Sequence, residues 1–371
     1  MKNQEALKKE IVEDLILLNR IEDKSVDYNK FLPKELIKYG LKHGVGANIY
    51  YLIKKGRITG VDQQDLIEWK KNYLHASLQF QIKFQAFLQI QKLFDENNIP
   101  LITLKGFALA ISLYEEEGVR PMGDLDILVP EDKGQLALSV LLKAGAKQVH
   151  TPRSVLHEKV HSHVRAIVFN GVLIEIHQRL FSLGNPYYVP TYKCFETYKS
   201  INYHNKEINV LSDVMMGYHL ICHAAYNIKN GGLRFGWLLD IALLLSRQKD
   251  IETYTEQILK MFTGTKKEML DILMMSSVLL VSDERNKLLF GNDEYSIKEL
   301  ISIKMLEKDS KKLHKVNNLK EILNQPGFRN KILMTWFELF PSKEYMIEWN
   351  NHQDDFLLKL YLKRLFHIHD K

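Results

Sequence analysis

The chain has 371 residues, of which 46% are hydrophobic. It is too long and too apolar for a disordered tail or a disulfide-stapled miniprotein, and it has room for two or three packed units of roughly 100–200 residues each. Lys and Arg number 51 against 45 Asp and Glu, a formal charge of +6. That mild excess suits phosphorylated small molecules and, with no long basic block, does not demand nucleic acid.

Only two cysteines occur, Cys194 and Cys222, with no CxxC spacing. This argues against a thiolate zinc knuckle and against a disulfide scaffold. The amino terminus is charged from the start and then periodic, unlike a secretory signal. No apolar run reaches the ~18–20 residues a membrane helix needs. The expectation is a soluble, cytoplasmic protein with no membrane partner.

In chain order, residues 1–95 read as a helical segment. Ile11, Leu15, Ile16 and Leu18 recur at helical spacing, as do Leu36, Ile37 and Leu41. Leu74 to Phe94 is a long amphipathic stretch without Gly or Pro, stopped by Glu96-Asn97-Asn98. The texture changes at Pro100. Leu101 to Leu104 reads as a short buried strand, Phe107 to Tyr114 as a helix, and Gly118 to Gly123 as a turn-rich connection. Leu125, Ile127 and Val129 alternate with Asp124, Asp126 and Leu128, a strand pattern ended by Pro130. Glu131 to Ala144 reads as a helix closed by Gly145. Two strand-like runs, Val164 to Phe169 and Val172 to Ile176, flank Asn170-Gly171, a hairpin signal.

After Pro190 the pattern predicts mostly helix. A cap at Ser212 or Asp213 starts one helix, Gly231-Gly232 breaks it, and a further helix spans Gly236 to Arg247. Pro326-Gly327 precedes a basic and aromatic tail whose Trp336, Phe337, Phe340, Tyr345 and Trp349 read as core. The fold class expected is α+β: a small mixed sheet over residues 96–190, between helical segments 1–95 and 191–371.

The chemistry concentrates in the middle segment. On a strand, residues two apart share a face, so Asp124 and Asp126 project together. Two neighbouring carboxylates repel unless a cation sits between them, and hard oxygen donors suit Mg²⁺. On the strand from Val172, Glu175 and His177 face away from Val172, Ile174 and Ile176. If the two strands are neighbours, three carboxylates converge, which is what a two-metal phosphoryl or nucleotidyl transfer site requires. Lys105-Gly106 opens a helix after a buried strand, a place where the glycine, the helix end and the lysine all favour a phosphate. Arg120 can also reach a phosphate. Asp-x-Asp alone is common in solvated turns; the combination in this order carries the reading.

The stretch from Leu104 to Pro130, with Lys105, Gly106, Tyr114, Arg120, Asp124 and Asp126, followed by Val172 to Leu180, resembles the polymerase-β-type nucleotidyltransferase superfamily. More narrowly it is similar to the bacterial group of uncharacterised nucleotidyltransferases. The likeness extends upstream over Leu41 to Gly56 and downstream over His219 to Leu245, about residues 30 to 250. It implies Asp124, Asp126 and Glu175 as metal ligands for Mg²⁺ or Mn²⁺, with Lys105, Gly106 and Arg120 at the phosphates. Lys105-Gly106 departs from the superfamily's Gly-Gly or Gly-Ser, and Glu175 from its commoner Asp.

The implied activity moves a nucleoside monophosphate from an NTP, with ATP as the expected donor, to a hydroxyl or phosphate of a small molecule, peptide or RNA. The alternatives are a catalytically silent nucleotide-binding scaffold and a toxin-like transferase acting on tRNA. His219 and His223, four apart on one helix face, lack the Glu of a zinc protease helix and read as core or substrate-facing. Arg234 and Asp240 flank Phe235-Gly236-Trp237. Asp240, inside an apolar helix, needs a partner, either Arg234 or a histidine, or has a substrate role. His157, His161 and His163 read as loop or substrate-face residues.

Overall fold

The computed structural model describes residues 2–21, 25–31, 33–149, 155–230, 232–262, 266–280, 301, 322–350 and 356–365. Its strands are β1 (Val26–Asp27), β2 (Ile58–Thr59), β3 (Ile102–Thr103), β4 (Leu125–Leu128), β5 (Lys147–Gln148), β6 (Ile167–Phe169), β7 (Val172–His177), β8 (Lys199–Tyr203) and β9 (Lys206–Val210). The chain is α+β with a small mixed sheet, and it forms two units, each built from three separate stretches. The first comprises residues 1–85, 103–123 and 198–313; the second comprises 86–102, 124–197 and 314–371.

In the first unit, helices Lys2–Asn19, Pro33–Lys42 and Gly46–Lys54 lead to Gln63–Glu96, a 34-residue helix whose last turns enter the second unit. Ile11, Leu15, Ile16, Leu18 and Leu36 are buried as their spacing predicts, whereas Leu41 is exposed. On the long helix Ala76, Phe80, Phe84 and, past the unit boundary, Phe87, Ile90 and Phe94 are buried, each residue close to a multiple of 3.6 from the next. Trp69 lies against Gly40, where even a Cβ would come within 2.8 Å of the indole. The Glu115-Glu116-Glu117 run is tied to these helices by Tyr51 and Lys55 on Glu115, Lys54 and Tyr73 on Glu116, and Gln81 on Glu117.

Thr103 of β3 pairs in parallel with Val210 of β9, and β9 pairs antiparallel with β8. The pattern after Pro190 predicts mostly helix, and this hairpin is the part of that stretch it does not foresee. Its turn, His204-Asn205, has positive φ at both residues (49° and 60°), the geometry that matches strand twist, but without the usual glycine. Helices Asp213–Asn230, Phe235–Ser246, Ile251–Lys260 and Lys267–Ser277 complete the described part of the unit.

In the second unit β6 and β7 form the hairpin that Asn170-Gly171 predicts, with φ of 51° and 78° at the two turn residues. β4 lies beside β7 in parallel, and β5 pairs antiparallel with β6. The helix Gly134–Lys143 follows a short 3-10 turn at Glu131–Lys133. Helices Phe328–Leu339, Lys343–Trp349 and Leu357–Leu365 follow later. The aromatic tail is not core as expected. Trp336 is 56% exposed with its ring tilted against Phe340, and Phe337, Phe340, Tyr345 and Trp349 are half-buried, while Met346 is fully buried. The spacing of aromatics fixes a shared face but not what that face meets.

Candidate functional site

β4 and β7 define the site. Their parallel register sets Leu125 against Ile174, Asp126 against Glu175, Ile127 against Ile176 and Leu128 against His177. The alternation that buries Ile174 and Ile176 turns Glu175 and His177 to the opposite face. Asp126 (2% exposed) and His177 (3%) are closed off from solvent, and the Glu175 side chain is partly open. His177 Nε2 lies 2.8 Å from Asp126 Oδ1 and 3.5 Å from Glu175 Oε2. One ligand atom from each of Asp126, Glu175 and His177 lies within 4.8 Å of the others, which makes the trio a possible metal-holding group. Asp124 sits one residue ahead of β4 and outside that trio.

Two further histidines lead away from His177. His163 bridges to it as an antiparallel partner, with ring centroids 5.6 Å apart, and His161 meets His163 at 5.1 Å. The His157 side chain lies outside the described residues. The turn carrying this pair is held by the residues after His177. Gln178 Nε2 donates to the carbonyls of Glu158 and His161 at 2.6 and 3.1 Å. Arg179 Nη1 donates to those of Lys159 and His161 at 2.9 and 3.1 Å, and its Nη2 meets Glu131 at 2.9 Å. The backbone N–H groups of Gln178 and Arg179 both donate to Ser162 O. Glu158 in turn pairs with Arg165 through both carboxylate oxygens.

The predicted phosphate-binding residues belong to the first unit. Lys105 starts the helix Lys105–Ser112 with φ of 43°, a left-handed conformation uncommon for a residue with a side chain. Gly106 faces protein rather than open space: a Cβ there would stand 2.8 Å from Met122 Cβ and 3.1 Å from Arg120 Nη1. Arg120 is anchored at all three nitrogens. Nε and Nη2 meet the two oxygens of Asp240 at 3.3 and 2.8 Å, and Nη1 donates to Pro121 O at 2.7 Å. Tyr114 Oη donates to Asp240 Oδ1 at 2.6 Å. Burial, and then the negative charge of Asp240, push the Tyr114 phenol well above its ordinary range, so it remains a donor.

Asp240 is therefore partnered by Arg120 and Tyr114, not by Arg234 or a histidine as its sequence neighbourhood suggests. Arg234 is exposed and lies over the Trp237 ring at 5.5 Å. Trp237 meets His223 edge-on at 4.9 Å, and His223 lies 6.4 Å from the buried His219.

The sequence matches the family described as uncharacterised nucleotidyltransferase over residues 29–261. The chain belongs to that family. A comparison with curated proteins gave no match. Among solved structures it is similar to ANT(2'')-Ia in a crystal structure with adenylyl-2''-tobramycin, at 12% identity and TM-score 0.37, covering 49% of this chain and 96% of that one. A solution structure of the antibiotic-resistance factor ANT(2'')-Ia gives 11% identity and TM-score 0.35, covering 50% and 90%. An antigenic nucleotidyltransferase-like protein from Paracoccidioides brasiliensis gives 14% and 0.29, covering 57% and 97%.

Against this family membership, the sequence reading missed Gln178 and Arg179, which act on backbone carbonyls and carry no spacing signature. Their signal was position alone, two polar residues directly after the strand that ends in His177. His161 and His163 read as loop or substrate-face residues, and His163 bridges to His177 with His161 beside it. Among the described residues no helix is long and apolar enough to cross a membrane.

Proposed function

We propose that this nucleotidyltransferase-family protein transfers a nucleoside monophosphate from an NTP, with ATP the first donor to test, to a hydroxyl or phosphate acceptor. The bond that forms joins the acceptor oxygen to the α-phosphorus; the bond that breaks is the one between α-phosphorus and bridging oxygen, whose electron pair leaves with pyrophosphate. The observation that carries the reading is the in-register pairing of Asp126 with Glu175 on adjacent parallel strands, with His177 beside both.

The donor set fits a divalent cation. Two carboxylates whose ligand atoms lie within 4.8 Å of each other repel unless positive charge joins them. Asp126 and Glu175 would hold the ion, with Asp124 available from the residue before β4. When bound, Mg²⁺ or Mn²⁺ supplies charge stabilisation of the departing pyrophosphate and a lower pKa at the acceptor hydroxyl. The protein's own share is positioning. The buried Asp126 carboxylate is fixed by His177, and Glu175 is fixed by the strand register. Lys105, with Gly106 and Arg120 shaping its turn, is proposed as a phosphate contact of the first unit. The catalytic core proposed is residues 96–190, between the helical segment 1–95 and residues 191–371, which carry the β8–β9 hairpin besides their helices.

The test incubates wild type and Asp126→Asn with each labelled NTP, Mg²⁺ or Mn²⁺ and a panel of acceptors, following pyrophosphate release and nucleotide binding. The substitution keeps shape and removes charge. Loss of metal-borne stabilisation costs several kcal/mol of barrier, about 10³-fold or more in rate. Equal turnover by the two proteins overturns the reading. Metal-dependent nucleotide binding by wild type with no release favours the silent scaffold.

A further inference from the structure

We propose that His177 is itself a metal ligand, so that Asp126, Glu175 and His177 form a mixed carboxylate–imidazole site that prefers a transition-metal ion such as Mn²⁺ to Mg²⁺. The inference rests on the reading above that this cluster holds the metal. It adds the nitrogen donor and the choice of ion that follows from it.

Three observations support it. The first is distance. Around one ion with bonds of about 2.1 Å, neighbouring donor atoms stand about 3 Å apart. His177 Nε2 stands 2.8 Å from Asp126 Oδ1 and 3.5 Å from Glu175 Oε2, close to that spacing, and all three donors from the two strands lie within 4.8 Å of one another. The second is direction. It is the same ring nitrogen that faces both carboxylates. One N–H can bridge to Asp126, but an ion at the centre serves all three donors together. The third is rigidity. The ring is 97% buried, packed edge-on by His163, and followed at once by Gln178 and Arg179, whose side chains grip the 158–163 turn. Packing of this kind holds the ring's position.

The choice of ion follows from donor chemistry. Mg²⁺ takes oxygen ligands and keeps its waters, whereas imidazole suits first-row transition ions. Replacing one oxygen donor by imidazole penalises Mg²⁺ most. His177→Gln removes the imidazole and keeps a side chain able to hydrogen-bond Asp126.

The experiment uses the full chain. Mn²⁺ is titrated into wild type, His177→Gln, His163→Gln and Asp126→Asn and followed by the EPR signal of the free ion; Mg²⁺ is then added as competitor. Pulsed EPR of the bound Mn²⁺ reads any directly coordinated ¹⁴N. The result expected is a ¹⁴N coupling in wild type and in His163→Gln, absent from His177→Gln, with Mn²⁺ bound at least about tenfold more tightly than Mg²⁺ and that preference narrowing in His177→Gln. A wild-type spectrum without ¹⁴N coupling decides against the ligand role even if a variant fails to fold. Mn²⁺ bound in an Asp126-dependent way but without ¹⁴N coupling overturns the ligand role and leaves the carboxylate site standing. A ¹⁴N coupling that survives in His177→Gln also overturns it. No Mn²⁺ or Mg²⁺ binding by wild type overturns this inference together with the metal-site reading beneath it.

Discussion

Asp240 shows how one buried charge organises its surroundings. It is 0% exposed on the apolar helix Phe235–Ser246, and its two oxygens accept from Arg120 and Tyr114, residues far upstream in sequence. Breaking a buried pair by removing one partner strands the other charge, at a cost of about 3–5 kcal/mol. Asp240→Asn is expected to lower stability by about that amount in urea unfolding, and Tyr114→Phe by about 1 kcal/mol. A change below about 0.5 kcal/mol in Asp240→Asn would mean that the Arg120 guanidinium finds other partners. His43 makes a second residue-scale case. It is 3% exposed, and burial, then the nearby Lys42 and Arg234 charges, lower its pKa to about 4 from an ordinary value of 6.5. The folded protein thus binds fewer protons than the unfolded chain between those values. The neutral ring's contribution is complete above 6.5 and is lost as pH falls toward 4, on the order of 2–3 kcal/mol. His43→Phe keeps a ring facing Tyr39 and removes that slope. Urea midpoints at pH 7.5 and 4.5 should lie closer together in His43→Phe than in wild type; an unchanged gap would place the proton uptake elsewhere.

At the scale of elements, the informative unit is β7 with the residues that follow it. Its alternation commits Ile174 and Ile176 to the core and sets Glu175 and His177 on the face shared with Asp126. Gln178 then turns the strand's end into a clamp, with its side-chain amide on two carbonyls of the 158–163 turn. Gln178→Ala removes both bonds and takes the side-chain donor from the Glu158 carbonyl, while Arg179 still donates to that of His161, at a cost of about 1–3 kcal/mol. Hydrogen exchange should speed up across residues 158–163 and not across β8 and β9; uniform speeding would mean global loosening instead.

The β6–β7 hairpin and both strand alternations were legible in the sequence because period-2 apolar spacing and Asn170-Gly171 are local signals. The β8–β9 hairpin was not. Its strands bury only Ile208 and Val210, and its turn, His204-Asn205, carries no glycine. The acidic pair across β4 and β7 could be inferred only conditionally, since strand adjacency is a tertiary fact. His177 in the trio, the clamp and the Arg120–Asp240 pair were hidden for the same reason. Each depends on which distant segment arrives, and side-chain type alone does not encode that.

For the whole molecule, the decisive feature is interleaving. Each unit takes three stretches of chain, so no single cut separates them. The proposed catalytic core, residues 96–190, carries β3, Tyr114 and Arg120, but their partners Val210 of β9 and Asp240 lie beyond it. Expressed alone, that segment would present β3 with an unpaired edge, an arginine with no counter-charge and the apolar face of Lys105–Ser112 without its long helix. A small domain gains only about 5–15 kcal/mol from folding, and these losses are of the same size. The fragment is expected to show secondary structure in far-UV circular dichroism but no cooperative thermal transition in the near-UV, while the full chain shows one. It should also fail to bind Mn²⁺ even though it holds Asp126, Glu175 and His177, because the strand register that sets their spacing would not be held. A cooperative transition in residues 96–190 alone would show that β4, β6 and β7 with the helix Gly134–Lys143 suffice as a core. The flanking helices would then serve the acceptor rather than the fold.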